Sequence, residues 1–279
     1  MTGAQSRTRP RPTSSSRLLA YACAVLVTAF MLFPIYLIAI AALQPRTAVF
    51  DYPRPLFPNT ISLQSISFFL TTSGILPALG RSLVVGLLTV VFALSLGCPA
   101  GYAIARYRFF GRDLIQLLVV SVRAFPVLIL AIPLAVTFIN WNLYDSILSV
   151  AIVHTVMALP LTILLAASVF LRVPHELEEA AMSLGTSRLG AVWRIVIPLS
   201  SQGLGAAALF AFVLSWNEVF AAAVLTVRNP TLPAKIINQL VQSPLPFRFA
   251  GGLALTLPAF VFIFFMRPYL FSAFGRGGH

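Results

Sequence analysis

The chain has 279 residues, of which 59% are hydrophobic and 9% charged, with a mean hydropathy of +0.93 and a net charge of +12. Such values exclude an ordinary soluble domain and describe an integral membrane protein. The positive charge would suggest nucleic acid in a soluble protein, but here the basic residues lie in tails and short loops beside apolar runs. That is the pattern of membrane topology, so membrane lipid is the expected surrounding and nucleic acid is not.

In chain order, residues 1–17 are rich in Arg, Pro, Ser and Thr with almost nothing to bury, and read as a disordered basic tail. Six stretches then reach the ~20 residues that a hydrocarbon core requires: 18–43, 83–105, 114–139, 146–171, 202–227 and 250–274. The expected fold is an all-α membrane protein of six transmembrane helices, one domain over 18–274, with a short tail at 275–279. The first apolar run exceeds the ~7 to 15 residues of a signal-peptide core, so it reads as an uncleaved anchor. Residues 44–80 are interrupted by Pro45, Pro53, Pro55, Pro58 and Pro77 and read as a small cap outside the membrane. Cys23 and Cys98 lie in apolar runs and read as packing residues. Pro126, Pro133, Pro160 and Pro258 fall within spans, where each frees a carbonyl and kinks its helix, either to open a cavity or as a packing feature.

An even number of spans puts both termini on one side. Eleven Lys and Arg residues fall on the side of the termini and of the 172–200 loop, six fall on the other, and Arg123 and Arg267 lie inside spans. The excess predicts cytoplasmic termini and a cytoplasmic 172–200 loop between the fourth and fifth spans.

That loop is the most informative segment. Pro174 suits the first turn of a helix whose start is acidic at Glu176, Glu178 and Glu179. Leu177, Ala180, Ala181 and Leu184 fall on one face at helical spacing. Gly185 suits a left-handed stop, Thr186 or Ser187 a second cap, and Pro198 the end of the second helix. The expectation is helix, glycine elbow, helix.

Charged groups inside spans are costly and so are candidates for function. Glu218 lies about 24 Å and His154 about 25 Å from the same end of the bundle at 1.5 Å per residue, depths at which they can pair. Arg123 falls near the midplane, about 14 Å in, where it either bonds carbonyls freed around Pro126 or lines a pathway. Trp216, Asn217 and Glu218 together offer an aromatic face and polar groups, which suits either a solute path or a helix-packing cluster. There is no GxxxxGK[ST] loop, HExxH or GxSxG, and His154, His175 and His279 are scattered. The chain therefore reads as one without a nucleotide, metal, cofactor or catalytic site, and an enzyme is not expected.

The segment EAAMSLGTSRLGAVWRIVIP resembles the EAA signature of binding-protein-dependent ABC importer permeases, matching at Glu179, Ala180, Ala181, Gly185, Ile195, Ile197 and Pro198. Sugar-type members usually carry an acidic residue where Leu184 stands. From about Leu18 to Phe274 the chain is similar to the second permease subunit of maltose-type carbohydrate importers. The similarity runs through Arg81-Ser-Leu-Val-Val, Ala103-Ile-Ala-Arg-Tyr-Arg-Phe-Phe-Gly-Arg112, Phe125-Pro126 with Ile132-Pro133-Leu134, and Ser215-Trp-Asn-Glu218. The basic Gly-Ala-rich tail common there is replaced by Phe274-Gly-Arg-Gly-Gly-His279.

The resemblance implies a bacterial inner-membrane permease for a sugar, oligosaccharide or polyol that works by alternating access. It implies a second, non-identical permease, a cytoplasmic ATPase dimer and an extracytoplasmic solute-binding protein as partners. It also implies ATPase coupling through Glu178, Glu179, Ala180, Ala181, Gly185, Ile195 and Pro198. The alternatives are an ABC permease for glycerol-phosphate, phosphate or peptide, to which Arg123 would suit an anion, and an ion-coupled secondary transporter.

Overall fold

A backbone in hydrocarbon has no water to bond, so long apolar runs must close their hydrogen bonds internally, as helices. The computed structural model describes residues 14–50, 52, 56–57, 60–240 and 242–275. Five of its helices are long and apolar enough to cross a membrane, and a bent helix pair makes a sixth when counted as one span. The all-α, six-span expectation therefore holds. Of the expected disordered tail, residues 1–13 lie outside the described residues, while Ser14 onward is already helical. Of the short C-terminal tail, only Gly275 is described, as the last residue of a helix.

The chain divides into two units. One comprises Met1–Ser67 with Leu245–Leu253. Its main element is α1 (Ser14–Leu43), whose large side chains from Leu18 to Phe33 are exposed, as a face turned to lipid requires. Within α1 burial is confined to its last turns, at Ile40, Ala41 and Ala42, and it continues at Gln44 just beyond. There the following segment is fastened by Ser62 N–H donating to Leu43 O at 2.7 Å, and Tyr36 Oη donates to Leu56 O at 2.8 Å.

The second unit comprises Phe68–Pro244 with Ala254–His279. Its centre is made by α3 (Ile75–Arg106), α6 (Ile147–Phe170) and α9 (Ile197–Asn217). Small residues decide how closely α3 and α6 approach. A Cβ on Gly101 would lie 2.8 Å from Ala167 N and 2.9 Å from Ile163 O, so only glycine admits the neighbouring backbone there.

Four spans differ from the sequence expectation. The second begins at Ile75 rather than at 83, because Pro77 sits in the first turn of α3, where its missing N–H costs nothing. A helix α2 (Gln64–Thr71) occupies part of the expected cap. The third span is not one rod. α4 (Arg112–Ser121) runs into a tight turn at Val122–Ala124 and is followed by α5 (Val127–Asn140), with a 94° bend between the two halves. Proline disfavours helical backbone in the residue before it, and Phe125 is extended with ψ 121°.

The fifth span is also redrawn. Helix begins at Arg188 and runs to Asn217, breaks at Glu218, and resumes as the short α10 (Phe220–Leu225). Pro198 therefore does not end the second loop helix, as its position in the sequence suggested. Residues Val192–Val196 widen into a π turn, with Ile197 N–H donating to Val192 O, and this makes room for the proline ring inside a continuing helix. The sixth span, α12 (Leu245–Gly275), starts five residues earlier than expected.

At the N-terminal end of α3, the loop before α11 (Leu232–Leu240) is clasped. Asp145 Oδ1 accepts the N–H groups of Val227, Arg228 and Asn229 at 2.9 to 3.1 Å. Arg81 Nε donates to Pro230 O, and Ser82 Oγ accepts Leu232 N–H at 2.7 Å.

Candidate functional site

The 172–200 loop forms the expected helix, elbow and helix. α7 (His175–Ser183) follows Pro174, with Glu176 and Glu178 in its first turn. Its end closes on Gly185 at φ 87°, where Gly185 N–H donates to Met182 O and Thr186 N–H to Ala181 O, both at 3.0 Å. This pair of bonds is a Schellman stop, and it requires the left-handed backbone that glycine adopts cheaply. The next cap is Ser187, whose Oγ accepts Gly190 N–H at 3.1 Å to open α8 (Arg188–Ala191). With both helix ends satisfied, the elbow has a defined angle.

The loop is also bolted to the C-terminal end of α3. Arg106 Nε donates to Glu178 Oε1 at 2.6 Å, and Tyr102 Oη donates to Glu178 Oε2 at 2.7 Å. Arg106 Nη2 donates to Val173 O at 2.9 Å, just before α7. The side chains of Arg106 and Glu178 are 7% and 3% exposed. Removing one partner of so buried a pair strands the other charge and costs about 3–5 kcal/mol. A weaker tie joins Arg188 Nη1 to Tyr107 Oη at 2.8 Å on the exposed side.

This geometry sorts the expected coupling residues. Glu178 and Ala181 face the protein and are buried. Glu179, Ala180 and Gly185 are exposed, Ile195 is half-buried and Pro198 is exposed. Leu177, Leu184 and Leu189 are 42%, 87% and 68% exposed, so the elbow presents an apolar edge that nothing in this chain covers among the described residues. Glu178 is thus a fastening residue inside the chain, whereas the Glu179 carboxylate faces outward and meets His175 alone among the described residues, at 3.1 Å on the exposed side of α7.

The expected pathway residues do not form an open site. His154 Nε2 lies 3.1 Å from Glu218 Oε2, and its Nδ1 lies 2.8 Å from Ser215 Oγ, so the pairing expected from depth is present. Glu218 also accepts the N–H groups of Phe220 and Ala221 on Oε1 and that of Ala222 on Oε2, capping α10 where the fifth span breaks. His154, Ser215 and Glu218 are buried. Trp216 is 2% exposed, stacks on Phe212 and donates through Nε1 to Leu255 O at 2.8 Å. Its aromatic face is therefore used in packing. Asn217 is exposed and donates to Val213 O. Arg123 sits exposed on the turn before Pro126 and has no hydrogen-bond partner among the described residues.

A family model described as "binding-protein-dependent transport system inner membrane component" matches residues 93–271. This chain belongs to that family. The permease is 30% identical over 271 residues to the sulfoquinovosyl glycerol transport system permease protein SmoH of Agrobacterium fabrum, covering 95% of this chain and 94% of that one. It is 29% identical over 258 residues to the trehalose transport system permease protein SugB of Mycobacterium tuberculosis, covering 90% and 93%. With the trehalose/maltose transport system permease protein MalG of Thermococcus litoralis it shares 28% identity over 272 residues, covering 94% and 96%. In fold it is similar to a chain of a bacterial ABC transporter involved in import of the acidic polysaccharide alginate. There the TM-score is 0.70 at 20% identity, with 94% of this chain and 98% of that chain covered.

As a family member the permease is an inner-membrane transport subunit that works with a binding protein and leaves ATP hydrolysis to a separate subunit. Sequence reasoning did not find its loop-fastening residues Tyr102, Arg106, Tyr107 and Arg188. A local trace existed, since Tyr102 and Arg106 are four apart at the end of a span and so share a helix face. What they face is set by packing across more than sixty residues of chain.

Proposed function

We infer that this permease forms half of the translocation pathway of an ATP-driven importer for a sugar, oligosaccharide or related polyol. The observation that carries the coupling role is the elbow itself, a capped and fastened helix whose outward edge of Leu177, Leu184 and Leu189 is apolar and exposed beside Glu179. An edge of that shape suits a groove on a cytoplasmic ATPase, with Glu179 meeting a basic or hydrogen-bonding group. Two such ATPases, a second and non-identical permease, and an extracytoplasmic solute-binding protein complete the assembly. Closure of the ATPase pair draws the two elbows together, and the bundles rock open on the opposite side to receive solute.

The cargo class is supported by relatives named for trehalose, maltose and a sulfoquinovosyl glycerol. Glycerol-phosphate, phosphate and peptide find less support, because Arg123, the residue that would suit an anion, stands exposed at a bend and not in a buried site. An ion-coupled mechanism does not suit a component of a binding-protein-dependent system. Both termini and Gly185 are cytoplasmic in this reading, on the strength of the Lys and Arg distribution. The test is uptake into liposomes holding the assembled importer. Uptake is expected to require ATP and the binding protein and to be specific for the sugar that the binding protein holds; uptake driven by an ion gradient without ATP would overturn the reading.

A further inference from the structure

The buried carboxylate of Glu178 is not used by an outward docking surface, and its partners all lie at one end of one helix. The chain holds α7 covalently at two places, through Pro174 to α6 and through Gly185 to the helix that begins at Arg188. A body held at two points still turns about the line joining them. A third attachment off that line removes the rotation, and Glu178, on the buried side of α7, is placed to supply it through Arg106 Nε at 2.6 Å and Tyr102 Oη at 2.7 Å. Arg106 reaches the start of the loop as well, at Val173 O. The planar guanidinium thus bridges two points of the loop in a fixed geometry, which a flexible ammonium does not reproduce.

The far side of this attachment is a long element. α3 has 32 residues without a break, about 48 Å at 1.5 Å per residue, and packs along α6 and α9. Its opposite end carries Arg81 and Ser82, which hold Pro230 O and Leu232 N–H of the clasped loop. One continuous helix therefore runs from the elbow to the clasp.

We propose that Arg106 and Tyr102 are positioning residues that lock α7 to α3 through Glu178, so that displacement of the elbow by the ATPase moves α3 as part of the same rigid body. This rests on the elbow being the ATPase-docking element, and it separates docking, which uses the exposed edge, from transmission, which uses the buried pair. Loss of the pair leaves the ATPase bound and the stroke undelivered.

The experiment uses the assembled importer in liposomes, with Cys23→Ser and Cys98→Ala in the permease as background. Arg106→Cys and Glu178→Cys are combined, and the importer is assayed reduced and after treatment with a short thiol-to-thiol cross-linker. In the reduced form the ATPase is expected to co-purify and to hydrolyse ATP, while uptake falls about tenfold. Cross-linking is expected to restore uptake, and cleavage of the linker to abolish it again, a response that a purely electrostatic role would not give. Wild-type uptake by the reduced pair overturns the proposal, as does failure of the cross-link to restore transport. Loss of the ATPase from the double variant overturns it too, by making Glu178 a docking residue. Should the double variant not insert, Arg106→Lys and Arg106→Gln give the same reading, with uptake expected to fall in that order at constant ATPase content; equal uptake by both and the wild type overturns the proposal. Failure of the underlying reading looks different, because the background permease itself would then not retain the ATPase.

Discussion

Two residues show how much a single position decides. A Cβ on Gly185 would meet nothing within 4 Å, so the cost of replacing it comes from its φ of 87° alone. A left-handed backbone costs an ordinary L-residue about 1–2 kcal/mol, and more for a β-branched one, whereas asparagine tolerates it better. Gly185→Val is therefore expected to leave the permease inserted at normal levels yet lose most of the co-purifying ATPase, with Gly185→Asn much closer to wild type. Equal ATPase retention by Gly185→Val and the wild type would remove the elbow from the docking surface. Glu218 works differently. It accepts three backbone N–H groups and lies beside His154, all away from solvent, so its first role is to satisfy a broken helix. Glutamine has one acceptor oxygen in place of two, and a buried group left unsatisfied costs about 1–3 kcal/mol. Glu218→Gln should lower the melting temperature of the detergent-purified permease and reduce uptake only in proportion to the folded fraction. A changed solute affinity at unchanged stability would instead return Glu218 to the solute path.

At the scale of elements, local rules and packing meet at each helix end. The stop at Gly185 and the cap at Ser187 need only neighbouring residues. The π turn at Val192–Val196 needs more, because a proline inside a helix can either end it or be absorbed, and the continuing apolar run from Ile197 decides for absorption. The clasp between Asp145 and the 227–229 backbone depends wholly on the ends of two helices meeting. Asp145 has a φ of 57°, which asparagine also adopts, and an asparagine Oδ1 still accepts the three N–H groups. Hydrogen exchange at Val227, Arg228 and Asn229 is accordingly expected to quicken in Asp145→Ala and to change little in Asp145→Asn, at about 1 kcal/mol for each bond lost. Similar exchange in both variants would mean that the side chain does not hold the loop.

At the scale of the whole molecule, orientation follows from charge. In the orientation proposed from the Lys and Arg excess the elbow lies inside the cell, so a cysteine at Ser187 in a background without Cys23 and Cys98 is expected to resist a membrane-impermeant thiol reagent in intact cells. A cysteine at Thr60 should react. The reverse pattern would invert the topology and detach the elbow from any cytoplasmic ATPase.

What the sequence determined by itself is whatever depends on short range or on solvent: the number of spans, the charge balance across them, the glycine elbow with its second cap, and the matched depth of His154 and Glu218. Hydropathy, helical rise and backbone preference act over a few residues and so can be read along a line. The tertiary structure decided what each side chain meets. It turned Glu178 inward onto Tyr102 and Arg106, more than seventy residues earlier in the chain, and used the face of Trp216 for packing against Phe212. It also bent the third span at Phe125 and carried the fifth past Pro198. Those outcomes depend on which helices lie side by side, and that is fixed by close contacts such as Gly101 against the α6 backbone, which no periodicity in the sequence reveals.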